Sequence, residues 1–141
     1  MTGPRRRARE AALQILYLWE VGKMAPEDAI DLYFLQHEPD ADEALRAFAS
    51  ELVLGVVEDL VELDRLIEQH AANWRVARLA VIDRLILRQA AWELRHQADT
   101  PAAVVLNEAI ELARQFSADE AVGFVNGVLD GIRKTLAGAA S

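Results

Sequence analysis

The chain has no cysteine, which excludes a disulfide framework, a thiolate metal site and a cysteine nucleophile. It has no apolar run near the roughly 18 residues needed to cross a membrane, and its first residues lack the apolar core of a signal peptide. A soluble, cytoplasmic protein without membrane contact is the expectation. Sustained period-two alternation bounded by hairpin turns is missing, so no strand is expected, and no glycine-rich phosphate loop can follow one. The three histidines, His37, His70 and His96, stand without metal-ligand spacing. Positive charge is also scarce: 15 Lys and Arg face 23 Asp and Glu, for a net charge of -8. With no catalytic constellation in view, an enzyme is not expected, and neither is a cofactor or a metal.

What positive charge there is stands at one end. The first ten residues hold Arg5, Arg6, Arg7, Arg9 and Glu10, a net +3, so the remaining residues sum to -11. A cationic end on an acidic body is a localised place for phosphates. The alternative is a disordered basic tail, but the run passes directly into a helical pattern. Ala8, Ala12, Ile15, Leu16 and Trp19 fall in one stripe at about 100° per residue, while Arg6, Leu13 and Tyr17 lie off it and Arg9 at its margin. Tyr17 then has two uses open to it: an outward ring on which a base stacks beside phosphate-binding arginines, or a contact to a neighbouring helix.

With 141 residues, 52% of them hydrophobic, the chain can bury one core, as a single domain or two packed subdomains. Helical periodicity runs through nearly all of it, giving an all-α class. The first helix covers about Arg5 to Val21 and ends near Gly22. Pro26 suits the first turn of a second helix, with Ile30, Tyr33 and Phe34, running up to Pro39. Leu45, Phe48, Leu52, Val56, Leu63 and Ile67 keep to one face, predicting a single long third helix as the spine of an N-terminal bundle. Ala71 to Arg78, with Trp74, reads as a connector, and the subdomain boundary is set there, dividing residues 1–72 from 73–141. Leu79 to Leu94 is apolar almost all round and therefore central. Thr100 and Pro101 open the next helix, with Val105, Ala109, Leu112 and Phe116 inward, and Ser117 with Glu120 forms a capping box for the last.

In that last helix Val122, Val125, Val128, Leu129 and Ile132 form the core stripe. Gly123, Gly127 and Gly131 line up on the far side at four-residue intervals, flanked by Phe124. Each interior glycine costs about 0.5–1 kcal/mol relative to alanine, so the row implies a close approach. Tight helix packing is the commoner cause, and approach of a ligand is the other. Phe124, off the core stripe, is a second candidate aromatic platform, expected to share one groove with Tyr17.

The blocks Arg5-Arg6-Arg7-Ala8-Arg9-Glu10 with Leu16-Tyr17, Asp83-Arg84-Leu85-Ile86-Leu87-Arg88, Asn107-Glu108-Ala109-Ile110-Glu111-Leu112-Ala113 and Phe124-Val125-Asn126-Gly127-Val128-Leu129-Asp130 occur in this order. Together they resemble the NusB family of bacterial antitermination factors, over nearly the whole chain. The resemblance implies two small packed helical bundles of six or seven helices, forming one compact domain without catalytic activity. It also implies binding of boxA-type single-stranded RNA jointly with NusE, a small-subunit ribosomal protein, in an RNA polymerase antitermination complex acting chiefly on ribosomal RNA transcription. The family's RNA surface carries over onto Arg5, Arg6, Arg7, Arg9, Tyr17 and Phe124, and its NusE surface onto Asp83. One departure is Gly123, where many relatives have lysine.

The polar members of these blocks, Arg88, Asn107, Glu108 and Asn126, are assigned to a structural network instead of a ligand. Arg88 falls among apolar neighbours and needs a carboxylate to offset lost hydration, with Glu108 the expected partner. Two other functions compete. One is a relative of the RNA-binding domain of ribosomal RNA methyltransferases; the other is a protein-only adaptor or homodimer using the glycine row and the apolar spine.

Overall fold

Proline and burial together set the first elements. Pro4 and Pro26 stand in the first turns of α1 (Pro4–Glu20) and α2 (Pro26–His37), where a missing N–H costs nothing. The computed structural model describes residues 3–72 and 74–140. Among these residues the chain continues with α3 (Glu43–Glu58), α4 (Leu60–His70), a short 3-10 turn (Val76–Arg78), α5 (Val81–His96), α6 (Ala102–Phe116) and α7 (Asp119–Ala140), and has no strand. The all-α expectation stands.

The chain divides into two compact units, Met1–Glu58 and Asp59–Ser141. The expected division at 72/73 falls at Asn73, outside the described residues, and the observed one comes earlier because the long third helix is two helices. It breaks at Asp59, whose φ of -103° and ψ of 17° are not helical. The apolar stripe from Leu45 to Ile67 is continuous in sequence, but its two halves serve different cores. Leu45, Phe48 and Leu52 are buried in the first unit, and Leu63, Leu66 and Ile67 in the second. A helical wheel cannot register a one-residue interruption that leaves the apolar phase nearly intact.

In the N-terminal unit α1 packs against both α2 and α3. Because it has two neighbours, α1 buries more than one stripe: Ala11 and Leu13 join Ala8, Ala12, Ile15 and Leu16 inside. The helix stops at a tight end. A Cβ at Gly22 would lie 2.6 Å from the Leu18 carbonyl oxygen, and Lys23 follows with φ 60°. Only the residue without a side chain fits that approach.

In the C-terminal unit α5 packs against α4, α6 and α7, so it is the central helix its composition requires. Leu85, Ile86, Leu87 and Ala91 are completely buried, and so is Leu129 of α7. Two helix starts differ from expectation. Helix α6 begins at Ala102 with Pro101, not Thr100, in the capping position. Helix α7 begins at Asp119, and Ser117 instead follows the end of α6, its hydroxyl donating to the Asp83 carboxylate.

Candidate nucleic-acid and partner interface

The arginine run forms the first turns of α1, and the fold uses its members differently. Arg5, Arg6 and Arg7 are exposed. The Arg5 guanidinium carbon lies 3.9 Å from the centroid of the Phe48 ring of α3, a cation–π contact, and Arg7 is ion-paired with Glu38 at the end of α2. Arg9 departs from its expected place. It is only 3% exposed, its guanidinium 5.4 Å from the same Phe48 ring, so the residue expected to reach phosphate is packed between helices. Leu13, expected off the core, is 1% exposed for the same reason. The run is therefore not a loose tail: two of its cations lie on one aromatic ring and a third is held by a carboxylate.

Tyr17 is 42% exposed near the other end of α1. Its position follows from the packing of the turns before it, since Ile15 and Leu16 are fully buried and fix the rotation of the helix. The ring is open on the same helix as the exposed arginines.

In the C-terminal unit, Asp83 and Phe124 share a surface pocket of about 340 Å³, lined also by Trp74, Arg78, Leu79 and Glu120. Asp83 sits in the first turn of α5, where the helix dipole favours a carboxylate, and accepts the Ser117 hydroxyl. Phe124 is half-buried on α7. Sequence reasoning passed over Trp74 as part of a connector, although an aromatic residue in a short linker was the available signal.

The glycine row is not one feature. A Cβ at Gly123 or Gly127 would meet nothing within 4 Å, whereas one at Gly131 would lie 2.5 Å from Nδ1 of His70. Tight packing thus explains Gly131 alone, where the His70 ring of α4 lies against α7 and bonds Thr135 at 2.9 Å. Gly123 and Gly127 are exposed beside Phe124.

The expected polar network is also partly redrawn. Arg88 is buried and forms a two-pronged pair with Asp64 of α4, Nε to Oδ1 at 2.8 Å and Nη2 to Oδ2 at 3.0 Å. This planar geometry suits a guanidinium deprived of water. Glu108, the expected partner, is half-buried on α6, while Asn107 and Asn126 are exposed and belong to no buried network. A second cluster, missed in sequence, ties α4 to α5. Arg95 reaches Asp59 at 3.2 Å and Glu62 at 3.1 Å, and His96 Nε2 lies 2.9 Å from Asp59. The Arg65 hydrogen bond first, and Arg95 second, hold the Glu62 carboxyl down at about 2 against partial desolvation.

These features define an all-helical protein with a cationic, aromatic-bearing first helix and an acidic, aromatic-lined pocket in its second unit. The NusB family profile matches residues 6–134, and the chain belongs to the NusB family. It is 47% identical to the transcription antitermination protein NusB of Solibacter usitatus (strain Ellin6076), over 94% of this chain and 90% of the relative. With the NusB of Bacillus velezensis it shares 48% identity, over 92% of this chain and 95% of that one. Among solved structures, T. maritima NusB superposes with a TM-score of 0.86 at 33% identity, covering 95% and 93% of the two chains. A NusB solved with NusE and double-stranded RNA superposes equally, with a TM-score of 0.86 at 27% identity, covering 96% and 99%. Among the described residues no helix is long and apolar enough to cross a membrane.

Proposed function

We propose that this chain is a cytoplasmic transcription antitermination factor. It binds boxA-type single-stranded RNA together with NusE, as part of an RNA polymerase antitermination complex, and acts by binding and not by catalysis. The relatives at 47% and 48% identity are transcription antitermination proteins, and a neighbour of the same fold was solved with NusE and RNA. The observation that carries the RNA assignment is the open Tyr17 ring on the helix whose first turns present Arg5, Arg6 and Arg7.

In this function Arg5, Arg6 and Arg7 hold phosphates and Tyr17 stacks a base. Arg9, packed on Phe48, positions the turn and stands behind the exposed cations instead of reaching out. Arg7 exchanges Glu38 for phosphate, so its contribution is net of an ion pair already made. Phe124 offers a second stacking surface, and the bare backbone at Gly123 and Gly127 leaves room for a strand beside it. Asp83 faces NusE, where acid suits a basic ribosomal protein.

The test is a titration of labelled boxA-type RNA over a range of salt. Each phosphate neutralised on a single strand contributes about -0.7 to the log–log salt slope, so replacing Arg5, Arg6 and Arg7 by alanine should flatten it by up to about 2. Tyr17→Ala should weaken binding by about 1–3 kcal/mol and leave the slope unchanged. A triple variant that binds like the wild type at every salt concentration would refute the assignment.

A further inference from the structure

The ion pair that holds Arg7 stands at an unfavourable place for a carboxylate. Glu38 is the C-cap of α2, where the helix dipole is negative, and its side chain is 17% exposed. Asp40 and Asp42 line the same surface pocket of about 370 Å³ as Arg7, His37 and Glu38. Three carboxylates are thus gathered beside one of the three exposed arginines of α1, on a surface that is otherwise suited to phosphate.

Glu38 is held from behind and cannot follow its partner outward. Its N–H donates to the Phe34 carbonyl at 3.1 Å, its own carbonyl accepts the Ala41 N–H at 3.1 Å, and Pro39 restricts its backbone. The turn closes at Asp42, whose carboxylate accepts the Leu45 N–H at 2.8 Å at the start of α3. The last turn of α2 is backed by the His37 ring, 5.0 Å from the ring of the buried Tyr33. Arg7 is the partner able to swing, with a long side chain that is 47% exposed. A phosphate that takes Arg7 therefore breaks the pair and leaves Glu38 in place, facing it with like charge.

We propose that Glu38 is an internal competitor for the RNA backbone. It occupies Arg7 in the free chain, opposes the phosphate that displaces it, and so lowers the affinity of the first helix for single-stranded RNA. A polyanion that engages Arg7 alone gains little, whereas a strand that also reaches Arg5, Arg6 and Tyr17 overcomes the pair. Glu38 in this way makes the helix selective for strands that fill it. The inference rests on the assignment of Arg7 to phosphate and adds a residue that works against binding.

The experiment is titration of labelled boxA-type RNA with the full chain over a range of salt, for the wild type, Glu38→Gln, Arg7→Ala and the double variant, with thermal midpoints to check the fold. Glu38→Gln should tighten RNA binding about two- to fivefold at low salt, the range of an exposed ion pair. It should also steepen the log–log salt slope by up to about 0.7, because Arg7 then counts as a full cation. In the Arg7→Ala background the same substitution should have a clearly smaller effect, since no phosphate is drawn to that place. Unchanged or weakened RNA binding by Glu38→Gln overturns the proposal, and a lowered thermal midpoint beside it assigns the pair to tying α1 to α2. Equal gains with and without Arg7 overturn it too, by showing a general effect of net charge. Wild-type RNA binding that Arg7→Ala leaves untouched overturns the assignment of Arg7 to phosphate itself, which separates the two failures.

Discussion

At the scale of single residues, the difference between what a wheel places outward and what the fold leaves open decides function. Arg9 and Leu13 are inside because α1 has neighbours on two sides, whereas Tyr17 is open. Gly127 shows the same distinction in reverse. A Cβ there meets nothing within 4 Å, so the overpacking expected of a tightly packed glycine row does not arise at that atom. Gly127→Ala should raise stability by about 0.5–1 kcal/mol, since the helix loses an interior glycine without a clash. Gly127→Leu should keep the fold and lower RNA affinity by filling the space beside Phe124. Urea midpoints and RNA titrations check both. A loss of 1–3 kcal/mol in Gly127→Leu, the signature of overpacking, would show that another helix lies against the site. Gly131 is the contrast, because there even a methyl group must displace the His70 ring.

At the scale of elements, the fastening of α4 to α5 is ionic as well as apolar. Glu62 binds Arg65 within α4 and Arg95 across to α5, and its carboxyl titrates at about 2 instead of the ordinary 4.5. A carboxylate whose value is depressed by folding adds stability that is fully present above the unfolded value and is lost as pH falls through the folded one. The contribution of Glu62 should therefore be complete above about pH 4.5 and vanish toward pH 2. Denaturation midpoints measured across that window should fall more steeply for the wild type than for Glu62→Gln, and the two should converge at the acid end. Parallel curves would mean that the pair contributes nothing to the fold. The pair is solvent-exposed, so the effect is expected to be small.

At the scale of the whole molecule, charge distribution links the two binding functions. A chain of net charge -8 with +3 in its first ten residues should hold RNA weakly by itself. A basic partner neutralises part of the field opposing RNA. RNA should then bind the NusE complex more tightly than the free chain, by a factor in the range of about 5–150, and NusE should gain by the same factor when RNA is already bound. The gain should shrink as salt is raised. Equal RNA affinities for the free and NusE-bound chain, measured by calorimetry, would exclude the coupling.

How much of this was legible beforehand follows from which physical signal each feature leaves. The all-α class, the first helix from about Arg5, the second helix start at Pro26, the centrality of α5 and the basic edge are written in periodicity, proline placement and charge, which are local and need no partner to be read. The blocks around Arg5, Asp83, Asn107 and Phe124 were sufficient to recognise the family. Tertiary packing decided the rest. The break at Asp59 separates two cores that share one apolar phase, and Arg88 pairs with Asp64, 24 residues away in sequence. Asn107 and Asn126 face water, Trp74 becomes the wall of a pocket, and one glycine row splits into a packed position and two open ones. Each of these depends on which other element lies opposite a given side chain, and that is a property of distance in space, which a one-dimensional pattern does not carry.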